Sequence, residues 1–214
     1  GRVIEDSRVR GVTVTGSARA GAAVAERAGR NLKKSVMELG GSDPFLVLED
    51  APLEASIDAA IFGRMFNTGQ SCVSSKRIIV IGKKRGKAFL DGFVQRMAAL
   101  EAGNPEDPTT TLGPISSERA MDLLLKQIDV AKAGGARLVL GGGRIDRPGF
   151  YIEPTVLTDI DENNPIYSQE LFGPVASYYV VDSEEEAIKL ANATPFGLGA
   201  SVFTADVEHG RRIA

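Results

Sequence analysis

The 214-residue chain has one cysteine and one histidine. Cys72 has no partner for an intrachain disulfide, and a lone thiol suits a reducing compartment. Cys72 and His209 are too few for a Cys/His zinc site. A Cys–His or Ser–His hydrolytic pair would have to use His209, five residues from the end of the sequence. Nucleophilic chemistry here would draw its base from a carboxylate. Charge of one sign is also missing: 25 Lys and Arg against 28 Asp and Glu leave a net charge of −3. Nucleic-acid binding needs a concentrated positive field, and the basic clusters Lys83-Lys84-Arg85 and Arg211-Arg212 are too short to supply one. No run approaches the ~18 apolar residues of a membrane span, and the first six residues hold no signal-peptide core. These absences predict a cytoplasmic chain with neither nucleic acid nor membrane as partner.

What is present suits a folded core. Hydrophobic residues make up 43% and charged residues 25%, ordinary for a globular protein. Short apolar or β-branched runs alternate with helical spacing along the chain. Strands are predicted at Val12–Thr15, Phe45–Leu48, Arg77–Ile81, Arg137–Leu140, Tyr151–Leu157, Val175–Val181 and Ala200–Thr204. Helices are predicted at Arg19–Arg30, at Leu53–Phe66 with Asp50 as its cap, at Gly86–Leu100 and from Ser117. Ser183 and Glu186 form a capping box for another, and Asp206 opens a last one. This alternation predicts an α/β fold with a mostly parallel sheet flanked by helices.

Four places could carry chemistry. Gly16-Ser17-Ala18-Arg19-Ala20-Gly21 joins a strand to a helix, where free N–H groups and the helix dipole favour a phosphate. Its spacing departs from the G-x-G-x-x-G fingerprint, so an ordinary βα turn stays open beside a phosphate site. Gly141-Gly142-Gly143 also follows a strand, but Pro148 and Gly149 stop a helix from starting, and the three glycines read as a turn. Cys72 follows the polar stretch Asn67-Thr68-Gly69-Gln70-Ser71, and is either a small buried hydrophobe or a thiolate nucleophile. Glu38 lies among Val36, Met37 and Leu39, where desolvation would tune it as a general base, unless it faces solvent from a strand. Glu170 leaves the same two options open, whereas Glu184-Glu185-Glu186 reads as a solvated helix start.

Taken together, these segments resemble the aldehyde dehydrogenase superfamily. The matching pieces are Glu38-Leu39-Gly40-Gly41, Gly69-Gln70-Ser71-Cys72 and Glu170-Leu171-Phe172-Gly173-Pro174. Thr15-Gly16-Ser17, Gly113-Pro114, Tyr151–Val156 and Pro195-Phe196-Gly197-Leu198 also match. The resemblance covers nearly the whole chain and implies a set of roles. Cys72 would attack the aldehyde carbon and Glu38 would activate water. Gly16, Ser17 and Gly21 would lie at the pyrophosphate of NAD or NADP. Leu39 and Gly40 would lie near the nicotinamide, Glu170 at its ribose and Phe172 beside its ring. Phe66, Ser71 and Val73 would line the place of a small aldehyde.

The wording ELGGSDPF from Glu38 to Phe45 is most similar to the bacterial succinate-semialdehyde dehydrogenase branch. Many of its members carry an arginine six residues before the nucleophile, where this chain has Phe66. Ser74 stands where some relatives have a second cysteine, which excludes a disulfide switch there. The resemblance further implies that residues 1–38 are the end of a cofactor domain and 39–214 an incomplete catalytic domain of a homo-oligomeric parent. The 214 residues alone are expected to turn over aldehyde poorly or not at all. Two other readings use the same residues without redox chemistry: a cysteine acyl-transferase or esterase, and a non-catalytic binding domain.

Overall fold

The computed structural model describes residues 2–214 as two units, one ending at Gly41 and one spanning Ser42–Ala214. In the first, a short helix α1 (Arg2–Glu5) precedes strand β1 (Gly11–Thr15), helix α2 (Ala18–Arg30) and strand β2 (Lys34–Glu38). The two strands pair in parallel with Thr15 opposite Glu38, and α2 is the crossover that a parallel pair requires. Ser17 caps α2, its hydroxyl accepting from the Ala20 N–H. Every residue of β1 and β2 keeps some exposure, so the alternation of strand side chains decides which are covered. Glu38 faces solvent. Of the apolar neighbours that suggest desolvation, Met37 points to the opposite face of the strand, and Val36, on the same face as Glu38, is itself 58% exposed.

The second unit contains β3 (Asp43–Val47), α3 (Leu53–Met65), β4 (Ser75–Ile81), α4 (Lys83–Ala98) and α5 (Glu118–Ala133). There follow β5 (Arg137–Leu140), β6 (Thr155–Thr158), β7 (Val175–Val181), α6 (Glu184–Asn192), β8 (Ser201–Phe203) and α7 (Val207–Ile213). Six strands form one sheet in the order β5-β6-β7-β4-β3-β8, parallel throughout except where β5 meets β6. The predicted α/β class with a mostly parallel sheet is therefore what forms.

Strands β3 and β4 are buried at every position, because helices cover both faces of a parallel sheet. Phe45, Val47, Ile78 and Val80 share one core cluster with Ile57 and Ala60 of α3 and Phe89, Phe93 and Met97 of α4. The alternate residues Leu46, Ile79 and Ile81 pack with Ala187 of α6 on the other face. A third cluster joins Met121, Leu124 and Ile128 of α5 to Leu157 and Val175 of the sheet.

Two local expectations are corrected. Asp50 does not cap α3: Pro52 holds that position without a side-chain bond. The Asp50 carboxylate instead accepts from the Thr204 hydroxyl and from the N–H groups of Ala205 and Asp206. It braces the corner before α7, and these bonds hold its pKa below the usual carboxylate value. The predicted strand Tyr151–Leu157 shortens to Thr155–Thr158. Pro154 has no N–H for a ladder, and Ile152 is left with a single bridge to Arg144. The glycine run after β5 is a turn. Gly141 and Gly142 have positive φ, and the N–H groups of Gly142 and Gly143 go to Thr155 and Glu153.

Candidate active site

Cys72 owes its place to a break in regular structure. Helix α3 ends at Met65, and three successive residues then enter the left-handed region: Asn67 (φ 52°), Thr68 (φ 57°) and Gly69 (φ 72°). Asparagine and glycine tolerate that conformation, but a β-branched threonine there costs on the order of 1–3 kcal/mol. The surroundings hold the turn in place. The Thr68 hydroxyl accepts from the Gly113 N–H. Asn67 Nδ2 and the Gln70 N–H bond across the turn to Gln70 O and Asn67 O. The Gln70 side chain donates to Pro114 O and accepts from the Ser116 N–H. Chain reversal then delivers Ser71 and Cys72, both half-buried, immediately before β4. Cys72 is therefore neither a core filler nor a fully solvated thiol.

Two buried cations lie under this turn. Arg64, on the last turn of α3, is fully buried, and its Nη2 donates to Gly69 O at 2.6 Å and Gly173 O at 2.7 Å. Its Nε and Nη1 have no hydrogen-bond partner among the described residues. Burial pulls its pKa down to about 9 against the pull of Glu170, which leaves it a cation at neutral pH. Lys76, the second residue of β4, is 1% exposed. Its Nζ donates to Ser71 O and Cys72 O, both at 2.8 Å, and lies 3.4 Å from Glu170 Oε1. Desolvation and the neighbouring Arg64 lower its pKa, and Glu170 opposes them.

The segment carrying Glu170 is fixed by its neighbours. Leu171 is buried in the α5 cluster, and Gln127 of α5 donates to Glu170 O at 3.2 Å. Phe172, on the other side of the chain from Leu171, is 42% exposed. Near the Cys72 turn, Phe66 and Val73 are also exposed, and the rings of Phe62 and Phe66 lie 5.7 Å apart. Of the residues predicted for this unit, Cys72, Ser71 and Glu170 are thus brought together through Lys76.

Arg64 and Lys76 are not among the residues that the sequence marks as candidates for chemistry. The spacing Ser56, Ala60, Arg64 was the available signal. All three are buried at intervals of four on α3, a stripe in which an arginine must have internal acceptors. Lys76 gives a similar signal, a lysine at the head of the apolar run Ile78–Ile81.

In the first unit, Gly16 and Ser17 are exposed at the start of α2, whose first N–H groups lack acceptors within the helix. A Cβ on Gly16 would meet only Ala20, at 3.8 Å, so the turn leaves room for a dinucleotide's phosphates against the helix end. Gly21 is buried instead. A Cβ there would come within 2.6 Å of Leu39 Cδ2, so glycine is what allows Leu39 to pack on α2. Leu39 and Gly40 are half-buried just after Glu38. Among the described residues, no group of three His, Cys, Asp or Glu side chains could hold a metal ion, and no helix is long and apolar enough to cross a membrane.

Comparison with known proteins gives a consistent result. The sequence model described as the aldehyde dehydrogenase family matches residues 1–214. An NADP(+) succinate-semialdehyde dehydrogenase of Deinococcus radiodurans is 48% identical over 213 residues, which is 100% of this chain and 44% of that protein. The chain thus spans under half the length of that relative. The solved structure of Gox0499 superposes with a TM-score of 0.97 at 51% identity, covering 99% of this chain and 46% of the other. That of succinic semialdehyde dehydrogenase from Streptococcus pyogenes, in complex with NADP+, gives 0.96 at 46% identity, with the same coverage. With its whole length matched, the chain belongs to the aldehyde dehydrogenase family.

Proposed function

We propose that the protein carrying this chain oxidises a small aldehyde, succinate semialdehyde foremost, to its carboxylic acid with NADP+ or NAD+. The observation that carries this reading is the single cysteine, half-buried on a turn whose carbonyls are gripped by buried cations. The relatives named above support both the substrate and NADP+ as the cofactor.

Cys72 is the proposed nucleophile. Its thiolate attacks the aldehyde carbon and forms a C–S bond, and the Cys72 N–H is the donor toward the new oxyanion. A nicotinamide bound beside Cys72 would supply the acceptor for the hydride that leaves this carbon. The remaining thioester on Cys72 is attacked by water, and Glu38 is the proposed base that takes the water's proton. The C–S bond breaks, and the acid and the free thiol result. In this reading Gly16 and Ser17 hold the pyrophosphate, Glu170 the nicotinamide ribose and Phe172 the ring edge, while Gly21, Leu39 and Gly40 shape the approach. Residues 1–38 belong to a cofactor domain and 39–214 to the catalytic domain of a homo-oligomeric, cytoplasmic enzyme.

Substrate choice follows from what surrounds the thiol. Arg64 spends Nη2 on two backbone carbonyls, and Phe66, Ser71 and Val73 offer no charge to a distal carboxylate. A carboxylate-bearing aldehyde must find its cation on residues beyond these. Rates for succinate semialdehyde and uncharged butanal, measured on the whole protein, test this. A preference of about tenfold or more in kcat/KM for the former is expected, one charge-assisted contact being worth about 1.5–3 kcal/mol. Equal rates would remove the preference for succinate semialdehyde and leave a general aldehyde dehydrogenase. No nicotinamide reduction with any aldehyde would remove the function.

A further inference from the structure

We propose that Lys76 is a positioning residue for the nucleophile, a fixed charge that favours the Cys72 thiolate and is balanced by Glu170. The inference rests on reading Cys72 as a nucleophile and adds to it a residue that the reaction scheme does not use. Three observations carry it. Lys76 is 1% exposed at the head of β4, where an ammonium is costly unless its three protons have acceptors. Those acceptors include the carbonyls of Ser71 and Cys72 themselves, each at 2.8 Å, so the charge is attached to the nucleophile's own peptide unit. Covalent geometry then keeps Cys72 Sγ within about 8 Å of Nζ. Third, the only acid paired with Lys76 among the described residues is Glu170, at 3.4 Å.

The charges around this cluster are unequal. Arg64 lies under the same turn, and Arg77 and Asp43 follow along β3 and β4, with Asp43 feeling Lys76, Arg77 and Glu170. Three cations thus face two carboxylates. Arg77 is turned away from the cysteine: its guanidinium donates to Ser42 O, Leu190 O and Ala191 O. Arg64 donates to Gly69 O and Gly173 O. Lys76 alone touches the Cys72 carbonyl. A cation so placed lowers the energy of the thiolate, the form that attacks carbon. Glu170 weakens that effect while it stays paired.

The experiment is alkylation of Cys72 by iodoacetamide at neutral pH, read by peptide mapping on the whole protein without cofactor or aldehyde. The reagent is neutral, so its own charge plays no part. Lys76→Met is expected to slow labelling about tenfold, as one unscreened charge at this range allows. Glu170→Gln is expected to speed it about threefold by releasing Lys76 from its counter-charge. If Lys76 served only as a structural tether, its loss would loosen the turn and expose the sulfur. Labelling of a folded Lys76→Met protein at the wild-type rate or faster therefore overturns the proposal. Should Lys76→Met fail to fold, Glu170→Gln decides: faster labelling supports the proposal, and an unchanged or slower rate overturns it. Since no step of turnover is measured, a protein that oxidises no aldehyde can still pass or fail this test.

Discussion

Replacing Cys72 with alanine is expected to abolish aldehyde oxidation, by more than about 10⁴-fold in kcat, while leaving the fold and cofactor binding intact. The separation of these effects follows from how the turn is built. Its position is fixed through backbone carbonyls and through Thr68, Asn67 and Gln70, and the thiol takes no part. Removing the sulfur removes the group that forms the covalent bond and no support of the turn. Steady-state rates measured beside a thermal melt and a nucleotide titration check the prediction. Residual turnover within about tenfold of wild type would mean that another group attacks the aldehyde.

The second large effect is expected at Gly69. A Cβ on this residue would lie 2.2 Å from Gly173 O and 2.4 Å from Arg64 Nη2. Both neighbours are fixed, the first being backbone and the second the guanidinium tip of a fully buried arginine. The residue also sits at φ 72°, where a side chain adds strain of its own. Gly69→Ala must therefore break the Arg64 contact, push the 170–173 segment away, or both. We expect a loss of about 2–4 kcal/mol in denaturant unfolding and about 100-fold in kcat, since displacing the nucleophile by an ångström is enough for the latter. A variant with wild-type stability and rate would show that the clamp between Gly69 and Gly173 does not position the cysteine.

How much of this was legible in the sequence depended on which force decided each element. The parallel sheet was readable because burial on both faces writes itself as uninterrupted apolar runs, as in Phe45–Leu48 and Ile78–Ile81. The turn that carries Cys72 was readable as a polar, glycine-containing break between a helix and such a run. Asp50 misled because an acid before a helix is a good cap, and here a better offer came from residues 204–206, about 150 positions away. Tyr151 and Ile152 misled because apolar character says nothing about whether a partner strand is present. For Glu38 the sequence leaves desolvation and exposure open, because only the strand's alternation turns Met37 away and leaves the exposed Val36 on the same face. Arg64 and Lys76 were hidden because charged residues are ordinarily read as surface. Only the four-residue spacing of the buried α3 stripe, or the position of a lysine at the head of a core strand, marks them as internal.

The central claim is that the substrate becomes covalently attached to Cys72 and that Glu38 is needed to release it. The most direct measurement uses the Glu38→Gln variant of the whole protein, mixed with succinate semialdehyde and NADP+, quenched in acid and mapped by peptide mass. The account predicts a burst of about one reduced nucleotide per active site, with an acyl group on Cys72 that persists because water is no longer activated. Steady turnover by this variant with Cys72 unmodified, or an acyl group found on another residue, would contradict it.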